Sequence, residues 1–284
     1  MTAGDYGRLV ALAAIWGASF IFMRVAAPVL GPAWTAEGRV LIGGFALLAW
    51  FRFTGFDPAW RSHWRVYALV GLVNSAIPFA LYAFAAMHLP APLLAVLNAT
   101  SPMFALAFGA MFAGERVTAW KAAGLVVGAS GVLLATQPAG IEAGPMFGRA
   151  VAASLGACCG YGLTGVLIRR WGGGAPPRGI AVGNQIAAAI FLLPLLAAYP
   201  PLAPPTWLVA GNVLGLALLA SAIGFLLYFR LIADIGATRA LTVTYLVPLF
   251  GLAWGALFLG ETLPATALAG AVLILAGTAF VTRG

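Results

Sequence analysis

Apolar runs about twenty residues long follow one another along nearly the whole chain, separated by short segments that hold most of its charged side chains. A run of that length crosses a hydrocarbon layer as a helix, because no water is available there to satisfy an extended backbone. The residue-by-residue alternation of a membrane barrel is absent. The pattern predicts ten spans, at roughly 8–27, 34–53, 66–87, 92–113, 118–136, 147–169, 178–199, 206–232, 238–259 and 263–281. The fold class is therefore all-α integral membrane. No convincing cleavage site follows the first run, which reads as a retained helix.

The pattern repeats. A shift of 146 positions lays Ser75-Ala-Ile-Pro-Phe-Ala-Leu-Tyr82 on Ser221-Ala-Ile-Gly-Phe-Leu-Leu-Tyr228, with six of eight positions identical. The same shift pairs Pro102 with Pro248, Gly109 with Gly255, Gly114-Glu115 with Gly260-Glu261, and Gly131 with Gly277. A shift shorter by one pairs Trp16 with Tyr161, Ser19 with Thr164 and Arg24 with Arg169. Residues 1–137 and 146–284 thus read as two five-helix halves. An odd number of spans per half makes the second enter the membrane from the opposite side, so the repeats are inverted, with a binding site expected between them.

Composition changes the picture little: 63% of residues are hydrophobic and 8% charged, against about a quarter charged in soluble domains. Charge adds orientation. With the N-terminus in the cytoplasm, twelve of the fifteen Lys and Arg fall on that side: Arg8, Arg52, Arg61, Arg65, Arg116, Lys121, Arg169, Arg170, Arg178, Arg230, Arg239 and Arg283. Arg24, Arg39 and Arg149 remain near the other face. The positive-inside rule then puts both termini in the cytoplasm of a cell (inner or plasma) membrane. The net charge of +8 reflects this sorting and does not indicate a nucleic-acid partner.

Trp16-Gly17-Ala18-Ser19-Phe20 with Arg24, then Pro32 and Arg39, and the segments Pro102 to Glu115 and Pro248 to Glu261, resemble the ten-helix EamA-type permeases of the drug/metabolite transporter superfamily. The resemblance covers nearly the whole chain. It implies a basket of helices around a central cavity lined mainly by the first, third, fourth, sixth, eighth and ninth spans, with the fifth and tenth at the periphery. Some of these permeases export amino acids and related metabolites. A monomer is expected, with a homodimer left open.

Within that frame several residues are candidates for substrate contact. Pro78, Pro102 and Pro248 lack an N–H, which withdraws the helical partner from the carbonyls of Asn74, Asn98 and Thr244. Freed carbonyls beside polar side chains suit an ammonium or amide group, although a neighbouring Ser, Thr or water can also satisfy them. Trp16, Tyr82, Tyr161, Tyr228 and Tyr245 fall within spans and could wall an apolar or aromatic substrate. Ser19 and Thr164 accompany them. Trp34, Trp60, Trp64, Trp120 and Trp207 lie at span ends and read as interfacial anchors. The glycines of the fifth and tenth spans, together with Gly251 and Gly255 of the ninth, read as packing positions. Cys158 and Cys159, within a span, read as packing rather than a disulfide or metal site.

The carboxylates are Asp5, Asp57, Glu115, Glu142, Asp234 and Glu261, placed in loops or at span ends, and Glu37, the one expected to be partly buried. Glu115 and Glu261 are expected to shape helix ends. Arg24 and Arg39 are expected to pair with Glu37 or snorkel to headgroups, or else to recognise a carboxylate at a cavity mouth. With no evident carboxyl at the midplane, uniport or weakly coupled export is preferred to proton antiport. No cofactor or metal is expected. The favoured function is export of neutral amino acids, aromatic and large apolar ones above all. Efflux of aromatic cations would want a carboxylate in the first span, where none occurs. A membrane enzyme fares worst, since neither His-Glu-x-x-His nor Gly-x-Ser-x-Gly is present.

Overall fold

The computed structural model describes residues 2–137, 144–240 and 242–283; Glu142 and the side chain of Arg283 lie outside what it describes. All regular structure among these residues is helical. Seven helices are long and apolar enough to cross a membrane, and two more apolar helices, Ala119–Ala135 and Val243–Leu259, are shorter.

Helix α1 (Ala3–Phe53) opens on a capping box, with the Thr2 hydroxyl accepting from Asp5 N–H and the Asp5 carboxylate accepting from Thr2 N–H. Its 51 residues would extend about 76 Å if straight, far beyond a bilayer core of about 30 Å. Gly31 breaks it at φ 75° and ψ 170°, a conformation open to glycine because no Cβ obstructs it. The first two predicted spans are thus joined by a kink and not by a loop. Pro32 begins the second arm, where its missing N–H costs no hydrogen bond.

Helix α2 (Trp60–Val70), a π-helical stretch at Gly71–Ala76 and α3 (Ile77–Ala86) form one rod. The rod α4 (Ala91–Asn98) and α5 (Ser101–Ala113) is interrupted at Ala99–Thr100. After α6 (Ala119–Ala135) come α7 (Phe147–Trp171) and α8 (Pro177–Ala198). Then α9 (Trp207–Leu214), a second π-helical stretch at Gly215–Ile223 and α10 (Gly224–Ile235) form another rod. The short α11 (Ala237–Ala240), α12 (Val243–Leu259) and α13 (Ala265–Arg283) complete the chain.

Helix α4 lies in the middle: Leu93, Leu94, Ala95 and Leu97 are fully buried among α1, α3, α7 and α12. Helices α6 and α13 pack together along glycines, Gly128 against Gly277 and Gly131 against Gly270, so closely that a Cβ added at Gly131, Gly270 or Gly277 would collide with backbone. Their other faces expose Val126, Leu133 and Val272, an apolar surface suited to lipid. Among the anchoring tryptophans, Trp64, Trp120 and Trp207 are exposed at or near helix starts.

Candidate functional site

The helix interruption at Ala99–Thr100 settles where the freed carbonyls point. Asn98 C=O accepts from the Ser101 hydroxyl at 2.8 Å, Leu97 C=O from Thr100 Oγ1 at 2.7 Å, and Ala99 C=O from Thr278 Oγ1 of α13 at 2.7 Å. The carbonyl of Asn98, expected to be open for a ligand, is therefore capped by the neighbouring hydroxyl. The Asn98 side chain is what reaches the interior, and its Oδ1 accepts from Tyr82 Oη at 3.0 Å. Cys158 Sγ lies 3.1 Å from the same phenol and 3.4 Å from Leu97 C=O, so this cysteine ties α7 to the break and does more than fill space.

Four of the five predicted aromatic residues gather in two pairs, while Tyr245 donates instead to Thr278 C=O of α13 at 3.2 Å. Trp16 and Tyr228 meet with ring centroids 5.4 Å apart, and Tyr82 and Tyr161 stack at 6.1 Å. Phe20, one turn beyond Trp16, meets Tyr82 edge-on at 5.7 Å and joins the pairs. Each pair takes one residue from before position 137 and one from after 146. The alignment that lays Trp16 on Tyr161 and Tyr82 on Tyr228 also lays one pair on the other.

The remaining predicted residues support this arrangement to different degrees. Ser19 donates to Trp16 C=O at 2.6 Å and Thr164 to Gly160 C=O at 2.9 Å, both within their own helices. Pro78 packs on Gly160, where an added Cβ would approach its ring to 2.9 Å. Asn74 lies half-buried in the first π-helical stretch, four residues before Pro78. Pro102 sits in the first turn of α5. Thr244 and Pro248 lie on α12, which meets α1 where Phe250 faces Gly17 and meets α4 where Gly251 faces Ala95.

Several partners here, Ala220, Ser221, Ser75, Asn184 and Phe79, had no assigned part in the sequence. Trp16 Nε1 donates to Ala220 C=O at 3.1 Å, and Arg39 Nε donates to the next residue, Ser221 Oγ, also at 3.1 Å. Both acceptors belong to the second π-helical stretch, a helix form in which carbonyls leave the regular ladder and which recurs at functional sites. Ser75, in the first stretch, donates to Asn184 Oδ1 at 2.8 Å. A signal was present, since Ser75 and Ser221 open the clearest repeated octapeptide. Arg39 is only 8% exposed and its guanidinium lies 3.7 Å from the centroid of the Phe79 ring.

The expected partnership with Glu37 does not form. Glu37 is 3% exposed and neither of its oxygens has a partner among the described residues. Positions 37 and 39 are about 200° apart around a helix and cannot face one another. Arg24 pairs instead with Glu261, Nε to Oε1 at 2.8 Å, and donates to Ala86 C=O at 3.1 Å. Glu261 Oε2 also accepts from Ala91 N–H at 2.8 Å, capping α4. Glu115 pairs with Lys121 at 3.1 Å. As expected, both glutamates follow a left-handed glycine that ends a helix. Glu115 N–H bonds Gly109 C=O, Glu261 N–H bonds Gly255 C=O, and the φ values of Gly114 and Gly260 are 66° and 65°.

A separate apolar groove of about 570 Å³ lies between α1, α9 and α12, walled by Phe22, Leu208, Trp254 and Phe258, and includes none of the predicted site residues.

Comparison with known proteins adds the following. The model of a family described as EamA-like transporter family matches residues 7–137 and again 148–283. The chain is 28% identical to a probable terminal-alkyne amino-acid exporter of Streptantibioticus cattleyicolor, over 97% of this chain and 92% of that one. It is 26% identical to the inner membrane transporter YedA of Escherichia coli strain K12, over 91% of this chain and 84% of that one. A solved crystal structure shares the fold with a TM-score of 0.66 at 20% identity, covering 99% of this chain and 96% of the other.

Proposed function

The chain belongs to the EamA-like transporter family and is a multi-pass membrane transporter, and from that premise we propose that it exports neutral amino acids with aromatic or large apolar side chains, or similar metabolites. The observation that carries this reading is the pair of equivalent aromatic contacts, Trp16 with Tyr228 and Tyr82 with Tyr161, beside the Asn98 amide. Rings suit an apolar side chain, and an amide suits the polar end of an amino acid. The name of the Streptantibioticus relative agrees with the substrate class.

Transport proceeds by alternating access between two inverted five-helix halves, residues 1–137 and 146–284, with the two arms of α1 and the shorter α6 and α12 bringing the spans to ten. The twofold family match and the matching helix ends at Gly114 and Gly260 support this. So does an asymmetry. Arg24 and Glu261 are joined, whereas among the described residues their repeat equivalents Arg169 and Glu115 are not. Equivalent ends of the molecule in different states are what a gate at each end produces. The site comprises Trp16, Ser19, Asn74, Pro78, Tyr82, Asn98, Pro102, Tyr161, Thr164, Tyr228, Thr244 and Pro248, in a monomer whose termini face the cytoplasm.

A second reading, proton-coupled antiport, is favoured by Glu37, a buried carboxyl without a partner among the described residues. The direct test of the first is counterflow of radiolabelled phenylalanine and leucine into proteoliposomes. Wild type should exchange both, and Trp16→Ala or Tyr161→Ala should weaken apparent affinity several-fold, since an aromatic contact contributes about 1 kcal/mol. Absence of counterflow in wild type would refute the substrate class; unchanged kinetics in both variants would refute the site.

A further inference from the structure

We infer that Arg39 binds a carboxylate of the transported molecule, so that the substrate class is an organic acid or amino acid with an apolar body and a free carboxyl group. The inference rests on the transport site proposed above. A guanidinium buried within a membrane span is costly unless something compensates its charge. Among the described residues no carboxylate lies within ion-pair distance of Arg39, and its hydrogen bonds involve Nε alone, to Ser221. The Phe79 face at 3.7 Å compensates part of the charge. The two terminal nitrogens of the guanidinium remain, and their planar fork matches the two oxygens of a carboxylate.

The pseudo-symmetric contact shows that the charge is not needed for packing. Ser221 aligns with Ser75, and the shift that aligns Trp16 with Tyr161 aligns Arg39 with Asn184. Ser75 bonds Asn184, and Ser221 bonds Arg39. The same join between a π-helical hydroxyl and a neighbouring helix is thus made once by a neutral amide and once by a cation. The cation sits where an anion could bridge the aromatic pairs. Ser221 is adjacent to Ala220, which holds Trp16, and Phe79 packs in one cluster with Tyr161. A carboxylate on Arg39 would place the rest of the molecule against these rings.

Thermal unfolding of the purified full-length transporter in detergent tests this with four probes: phenylalanine, 3-phenylpropionate, phenylalaninamide and phenethylamine. In wild type the two carboxylates should raise the midpoint at concentrations about tenfold or more below those needed for the amide and the amine, as a charge-assisted pair implies. Arg39→Asn, which copies the neutral Asn184 contact, should remove that preference, and Arg39→Lys should restore part of it. The assignment is overturned if wild type treats the four probes alike, which holds even if both variants fail to fold, or if folded Arg39→Asn keeps the preference. The export reading fails separately. Arg39-dependent protection by 3-phenylpropionate without phenylalanine counterflow would sink that reading and leave the carboxylate site standing. Phenylalanine counterflow unaffected by Arg39→Asn would do the reverse.

Discussion

Glu37 and Arg39 are two residues apart on one helix arm, both buried, and turned to different surroundings. Arg39 has an aromatic face and a hydroxyl, whereas Glu37 has no hydrogen-bond donor among the described residues. A carboxyl so placed can carry a proton across a conformational change without carrying a bare charge. If it does, an imposed pH gradient should accelerate phenylalanine movement in wild-type proteoliposomes. In Glu37→Gln the acceleration should vanish while counterflow at equal pH persists. A gradient without effect on wild type would leave simple uniport. The sequence identified both residues as ionisable and offered Arg39 a pair with Glu37, snorkelling to headgroups or recognition of a carboxylate, of which the pair does not form. Spacing along a chain does not reveal which neighbours surround a helix face, and here the second arm of α1 turns Glu37 and Arg39 to different sides.

Among helices, the sequence singled out Pro78, Pro102, Pro248 and both Gly-Glu ends, and the prolines were harder to interpret. Pro102 does interrupt its rod, yet Ser101, Thr100 and Thr278 take up the carbonyls around the break. The π-helical stretches were invisible beforehand, because no single residue type marks them and the helices that follow them differ, with Pro78 after the first and Gly224 after the second. The Gly-Glu ends were legible in their backbone, since a left-handed glycine closing a helix is a local property. Their side chains were not, because partners distant in sequence decide them. Glu261 joins α1 to α4 through Arg24 and Ala91, while Glu115, among the described residues, pairs with Lys121, six residues on. Glu261→Gln should therefore lower stability by about 1 kcal/mol or more beyond Glu115→Gln, whose pair is local and partly exposed. Thermal unfolding in detergent measures the difference. Equal losses would mean that the backbone turn alone closes each end and that the Arg24 contact is not a gate.

Over the whole molecule the repeat was the most legible feature, because register survives in identical residues even where faces and partners cannot be read. Matching octapeptides, matching helix ends and matching aromatic pairs relate residues 1–137 to 146–284. On the arrangement proposed above, five spans per half make the second run opposite to the first, and the sorting of twelve cations to alternate loops favours the same orientation. On the topology proposed above, loops separated by an odd number of spans lie on opposite faces. The loop after α1, near Gly55, should be cytoplasmic, and the loop after α12, near Gly260, should face outward. Thr54 and Thr262 are exposed in these loops and avoid the left-handed glycines, where any side chain would be strained. Cys158 and Cys159 lie within α7, away from either loop. A membrane-impermeant maleimide added to intact cells should label Thr262→Cys and leave Thr54→Cys unlabelled until the membrane is opened. Labelling of both from outside would contradict the odd number of proposed spans between the two loops. Labelling of Thr54→Cys alone would invert the whole molecule, and with it the end at which Arg24 and Glu261 close.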